Sequence, residues 1–242
     1  MTLYTSISKN AEQLAERCVD VLDTLGGEAM EKYGKFIVSL AGGSTPRAIY
    51  RAWASSSKLD WGRVMLWFGD ERCVPPDHAD SNYRMVAENL LEGLPGEPEI
   101  VRMEGEHADP AQAARNYDHA LRQMLAKGHR IHVALLGIGA DGHTASLFPG
   151  MEAVKQSDAL CVSTPSPDGA TQRLTMTVPC LRDARKIFFL AAGGEKAVIV
   201  NRLMEGPLNP EELPAQFFLR DDRMNVNLLL DEAAAARLSR RE

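Results

Sequence analysis

The sequence predicts an α/β protein with a largely parallel sheet flanked by helices, formed as one domain over residues 1–242. Three observations carry this. Four short apolar runs each end in a glycine-rich or charged loop, amphipathic helical patterns lie between them, and no internal repeat or long linker divides the chain. Strands that alternate with helices build parallel sheets covered on both faces.

The elements follow in order. Ala11, Leu14, Ala15, Cys18, Leu22 and Leu25 recur at helical spacing and predict an opening helix over 10–25. "KFIVSL" reads as a buried strand that ends in the turn "AGGSTP", and a helical pattern covers 45–55. "RVMLWF" repeats the plan, with "GDERCVPP" as the polar loop after it and helices over 81–92 and 109–127. "RIHVALL" is the third strand, followed by "GIGADGH". "TPSPDGA" (164–170) reads as a loop, "RKIFFLA" as the fourth strand, 194–204 as a helix, and "ELPAQF" (212–217) as a loop. Ligands of such sheets bind outside the carboxyl ends of the strands. The four strand-following loops are therefore expected to meet at one end.

Composition narrows the function classes. With 45% hydrophobic and 25% charged residues, the chain has an ordinary globular balance. No apolar run reaches the ~18 residues of a membrane helix. The N-terminus lacks a charged segment followed by an apolar one, so no secretory signal is expected. A net charge of −6 argues against nucleic acid as a partner. Cys18, Cys73, Cys161 and Cys180 are scattered and form no CxxC pair, which points to reduced thiols in the cytoplasm and away from zinc. The oligomeric state is left open.

The loops hold the candidate chemistry. In "AGGSTP", Gly42 and Gly43 let the backbone turn and present its N–H groups, Ser44 and Thr45 add hydroxyls, and Pro46 suits a first helical turn. The stretch reads either as an anion site at a helix N-terminus or as a capped tight turn. In "GDER", Arg72 is placed to grip a phosphate or sugar oxygens, and Asp70 to bind a sugar or move a proton. The other reading is a solvated loop with an internal ion pair. Gly137-x-Gly139-x-x-Gly142 matches a dinucleotide fingerprint in form, but Pro149 and Gly150 leave little room for the long helix that fingerprint requires. The bend instead holds Asp141 and His143 two residues apart, a carboxylate able to orient an imidazole, and an imidazole titrates near neutrality. His78, His107, His119, His129 and His132 lack such a setting. Arg173 opens "RLTMTV" and Lys196 follows two glycines. With the GGSTP loop, these cations converge only on an anion.

The stretches "LAGGSTPRAIY", "WFGDERCVPPDHADSNYRM", "LLGIGADGHTASLFPG", "RLTMTVPCL", "GGEKA" and "LLLDEAAAA" span residues 40 to 236. Through them the chain resembles the 6-phosphogluconolactonases of the glucosamine-6-phosphate deaminase/lactonase superfamily. The resemblance implies a Rossmann-like layered single domain that hydrolyses 6-phospho-D-glucono-1,5-lactone to 6-phosphogluconate, the second step of the oxidative pentose phosphate pathway. It implies no metal and no organic cofactor. It also implies His143 as the base with Asp141 beside it, and Arg72, Arg173 and Lys196 lining the pocket. Ser44 and Thr45 fall in the loop associated with the sugar phosphate. Deaminases of the superfamily read DGHxAFNEP, with a glutamate in the catalytic apparatus. This chain reads "ASLFP", with Phe148 and no carboxylate. A deaminase-like enzyme and a non-catalytic sugar-phosphate-binding module remain the alternatives.

Overall fold

In the computed structural model, which describes residues 3–221 and 223–239, strand and helix alternate along the chain. The expected domain limits also take in residues 1, 2, 222 and 240–242, which lie outside the described residues. Strand β1 (Tyr4–Ser8) leads to helix α1 (Ala11–Tyr33), and β2 (Phe36–Leu40) to α2 (Ser44–Ser56). Next come β3 (Val64–Phe68), a short β4 (Asp70–Arg72), α3 (Asn82–Asn89), β5 (Glu99–Val101) and α4 (Pro110–Ala126). Strand β6 (Val133–Gly137) precedes β7 (Cys161–Pro165) and β8 (Gln172–Met176). The chain continues through α5 (Val178–Arg182), β9 (Lys186–Ala191), α6 (Ala197–Glu205), α7 (Gln216–Leu219) and β10 (Val226–Asp231).

Seven strands form one sheet in the order β1-β10-β9-β6-β2-β3-β5, and every pairing in it is parallel. Helices cover both faces, so the inner strands carry uninterrupted apolar runs: all five residues of β2 and of β3 are buried. This is the predicted fold class. The four strands read from sequence are β2, β3, β6 and β9, the contiguous centre of the sheet.

Several local expectations are corrected. The opening helix does not stop at Leu25. It runs to Tyr33, where Gly34 takes the left-handed conformation (φ 83°) and its N–H caps Met30 O. Gly26 lies inside it because Leu59 and Phe36 press against that turn: a Cβ there would fall 2.7 Å from Leu59 Cδ2. The pattern over 81–92 divides into α3 and a 3₁₀ turn, Leu91–Gly93, and 194–204 divides into a 3₁₀ turn, Gly194–Lys196, and α6. Asp70–Arg72 is a strand rather than a loop, since it pairs antiparallel with β8. Thr164 and Pro165 end strand β7, and Gln216 and Phe217 begin α7. Strands β4, β8 and β7 make a separate three-stranded antiparallel sheet. That sheet stands beyond the carboxyl end of β3. Among the described residues no helix is long and apolar enough to cross a membrane.

Candidate active site

Four strand ends open onto one cleft of about 590 Å³. Gly42–Pro46 follow β2, Asp70 and Arg72 follow β3, Asp141, His143 and Ser146 follow β6, and Lys196 follows β9. Arg173 reaches the cleft from β8. All ten residues singled out in the sequence (Gly42, Gly43, Ser44, Thr45, Asp70, Arg72, Asp141, His143, Arg173 and Lys196) therefore line one cavity.

The bend after β6 is built around an imidazole. His143 Nδ1 lies 2.5 Å from Asp141 Oδ1, and the same oxygen accepts the His143 backbone N–H at 3.1 Å. Burial raises the Asp141 carboxyl. The His143 amide, ring charge and ring N–H outweigh this and hold it below the ordinary carboxylate value. An ionised carboxylate only accepts, so Nδ1 carries a hydrogen, and Nε2 is the nitrogen that bears the lone pair whenever the ring is neutral. The ring stands over Gly139, where a Cβ would fall 2.1 Å from Nδ1. The Phe148 ring packs against it with centroids 4.8 Å apart. Two glycines of the apparent fingerprint thus serve the bend: Gly139 leaves room for the ring, and Gly142 has φ 87°. The dinucleotide reading has no support in this geometry.

The charged triplet divides its labour. Glu71 is 3% exposed. It accepts the backbone N–H groups of Arg72, Asn82 and Tyr83 and the Ser81 hydroxyl, which fixes the start of α3. Burial pushes its carboxyl above the ordinary value despite those three N–H donors. Ser81 caps α3 by accepting from Arg84 N. The Asp70 carboxylate accepts from Ser146 Oγ at 2.8 Å and from Asn82 Nδ2 at 3.2 Å. Asn82 in turn explains Gly42, since a Cβ there would fall 2.1 Å from Asn82 Oδ1.

Arg72 and Arg173 face each other across the β4–β8 ladder. Neither forms an ion pair among the described residues, and the Nε of each is buried without a hydrogen-bond partner. Arg72 Nη1 donates to Asp80 O. Burial, with the Arg72 charge beside it, holds the Arg173 guanidinium below its ordinary value. Two adjacent unpaired guanidiniums are unfavourable alone and call for an anion between or above them. Lys196 Nζ donates to Ile138 O at 2.9 Å, and its turn is fixed by Asp231, whose carboxylate takes the Gly193 N–H. At the entry to α2, Gly43 has φ 105° and no side chain caps the helix, which leaves its first N–H groups toward the cleft.

The structure adds lining residues that the sequence reading passed over: Ser146, and the β7–β8 turn residues Ser166, Pro167 and Asp168. It adds Asn82 as well, which falls within the stretch "WFGDERCVPPDHADSNYRM" and holds the Asp70 carboxylate. Among the described residues no group of three His, Cys, Asp or Glu side chains is placed to hold a metal.

A parallel α/β sheet with an imidazole–carboxylate pair and an unpaired cationic cluster at one cleft defines a class of protein suited to anionic small molecules. Comparison with known proteins is specific. The model of the glucosamine-6-phosphate isomerases/6-phosphogluconolactonase family matches residues 9–227. A 6-phosphogluconolactonase of Synechocystis sp. is 35% identical over 234 residues, 95% of each chain. The 6-phosphogluconolactonase structure from Trypanosoma brucei superposes with a TM-score of 0.83 at 26% identity, covering 98% of this chain and 99% of that one. A monomeric glucosamine-6-phosphate deaminase shares the fold, with a TM-score of 0.82 at 19% identity, covering 97% and 100%. The chain belongs to the glucosamine-6-phosphate isomerase/6-phosphogluconolactonase family.

Proposed function

We propose that this chain hydrolyses 6-phospho-D-glucono-1,5-lactone to 6-phospho-D-gluconate, with His143 as general base and no metal. The observation that carries the reading is the His143–Asp141 pair in the same cleft as two unpaired guanidiniums. Arg72, Arg173, Lys196 and the first N–H groups of α2 take the 6-phosphate. Nε2 of His143 removes a proton from a water that attacks C1. The carbonyl π pair moves onto oxygen, and the imidazolium is supported by Asp141. The oxyanion meets backbone donors of the Gly42–Gly43 turn. When the intermediate collapses, the C1–ring-oxygen bond breaks and His143 returns its proton to that oxygen. No covalent enzyme intermediate is needed.

Phe148 supports lactone hydrolysis over deamination, because an apolar ring packs His143 where the deaminase motif places a carboxylate. We take residues 1–242 as one unit, supported by a core cluster that runs from α1 to β10. The four cysteines are free thiols, in keeping with a cytoplasmic setting.

The test is turnover of freshly made lactone 6-phosphate, corrected for spontaneous hydrolysis, beside ammonia release from glucosamine 6-phosphate. Turnover of the first substrate without ammonia from the second is expected, and the reverse overturns the reading. Prolonged chelation leaves the rate unchanged. Loss of activity that added zinc restores would exclude the metal-free route. On the acid side kcat/KM falls as the base takes up a proton. Unphosphorylated glucono-lactone serves as control, since its acid limb cannot come from a substrate phosphate.

A further inference from the structure

The bend that carries His143 is held from two directions. On its own side, the Gly139 N–H donates to His143 O and the Thr144 hydroxyl to Gly137 O, each at 2.9 Å. On the other side the contacts come from Ser146. Its N–H donates to Thr175 Oγ1 at 3.2 Å and its Oγ to Asp70 Oδ2 at 2.8 Å. Asp70 and Thr175 are partners in the β4–β8 ladder, so both bonds land on one rung of the small sheet. Two residues along that ladder, Arg72 and Arg173 are partners as well. Ser146 is 1% exposed and Asp70 8%. Between His143 and Ser146 stands Ala145, with φ 49°, the one non-glycine residue in the left-handed region among those described. Such a conformation persists only where its surroundings over-determine it.

We propose that Ser146 and Asp70 are positioning residues: their hydrogen bond ties the bend bearing His143 to the sheet bearing Arg72 and Arg173, and so fixes the base relative to the bound anion. The proposal rests on the hydrolase reading above. It moves Asp70 from the substrate-binding role expected for it to one exerted through Ser146. Its carboxylate is held by Ser146 on one oxygen and by Asn82 on the other, and Asn82 Nδ2 also donates to Asp70 O. Buried hydrogen bonds of this kind transmit position because the alternative, an unpaired buried oxygen, is costly. A displacement of about 1 Å at a reacting group costs ~10²-fold in rate.

Ser146→Ala removes the donor and keeps the Cβ. It is expected to lower kcat by roughly 10- to 100-fold. The product 6-phosphogluconate should still bind one-to-one, with Kd within about threefold of the unaltered enzyme, because the cations are untouched. In a His143→Asn background, Ser146→Ala is expected to cost nothing further, since it acts through the ring that is gone. Unchanged kcat, an equal loss of product binding, or the same added loss in the His143→Asn background each overturns the proposal. If Ser146→Ala fails to fold, Ser146→Cys, of similar shape and weaker as a donor, carries the same test. A readout independent of turnover is the His143 imidazole proton resonance, assigned by its loss in His143→Asn. It shifts in Ser146→Ala, and an unmoved resonance sinks the latch. An unaltered chain that fails to turn over the lactone sinks the hydrolase reading alone, with the latch still decided by that resonance.

Discussion

The His143 ring and Gly139 occupy space that allows no methyl group between them, since a Cβ on Gly139 would fall within 2.2 Å of both Nδ1 and Cε1. Gly139→Ala must therefore push the ring away and break its 2.5 Å contact with Asp141. We expect a folded protein with kcat lowered at least ~10²-fold, close to the loss expected for His143→Asn, as general base catalysis typically contributes 10²–10⁴. Circular dichroism and steady-state kinetics on the two variants check this. Near-normal turnover in either one removes His143 as the base. The cations follow a different logic. Arg173→Ala and Lys196→Ala are expected to raise KM for the phosphorylated lactone by roughly 10- to 100-fold, as charge-assisted bonds contribute about 1.5–3 kcal/mol each. Unphosphorylated glucono-lactone should be affected far less. Equal losses on the two substrates would place these residues in folding or chemistry instead.

At the scale of elements, His132 joins two strands at the amino end of the sheet. Its N–H donates to Ile37 O, and its Nδ1 accepts the Ile37 N–H at 2.9 Å. Burial, with the Arg185 and His129 charges nearby, lowers its pKa to about 4. Above pH 6.5 both the folded and the unfolded chain hold it neutral. Below that value the unfolded chain takes up a proton that the fold refuses until about pH 4, so stability falls with pH across this window. At pH 5 the loss is on the order of 2 kcal/mol. Urea unfolding at pH 7.5 and pH 5 should reveal it, and His132→Gln should flatten the difference. An identical slope in the variant rules His132 out as its source. The parallel core was legible because β2, β3, β6 and β9 are buried on both faces and read as plain apolar runs. Strand β4 was not, because "DER" becomes a strand only through a partner about a hundred residues away, and propensity holds no trace of that pairing. The edge strand β1 alternates polar and apolar residues too weakly to stand out. Among candidate site residues, His143 and Asp141 showed themselves by chemistry in a strand-following loop, and the cations by the anion they could share with the GGSTP turn. Ser146 did not, because a serine in a turn carries no mark of the carboxylate it will meet.

Across the whole molecule, the cleft joins two sheets with different tasks. The parallel sheet presents the glycine loops and His143, and the small antiparallel sheet presents the guanidinium pair. A chain cut after Asn225 loses β10 and with it Asp231, which holds the Gly193 turn leading to Lys196. We expect it to be insoluble or unfolded by gel filtration and circular dichroism. A soluble, cooperatively folding product would contradict the central place given to β10. The sheet order has a further consequence. Strand β1 pairs with β10, which alone separates it from β9. During synthesis on the ribosome, β1 emerges long before β10 and must therefore wait for it. Until then β1 has no strand to pair with and the edge at β9 stays incomplete, a long interval in which a chaperone has something to shield. Nascent chains stalled before residue 226 should accordingly stay protease-sensitive at β1 even when the centre of the sheet has already formed.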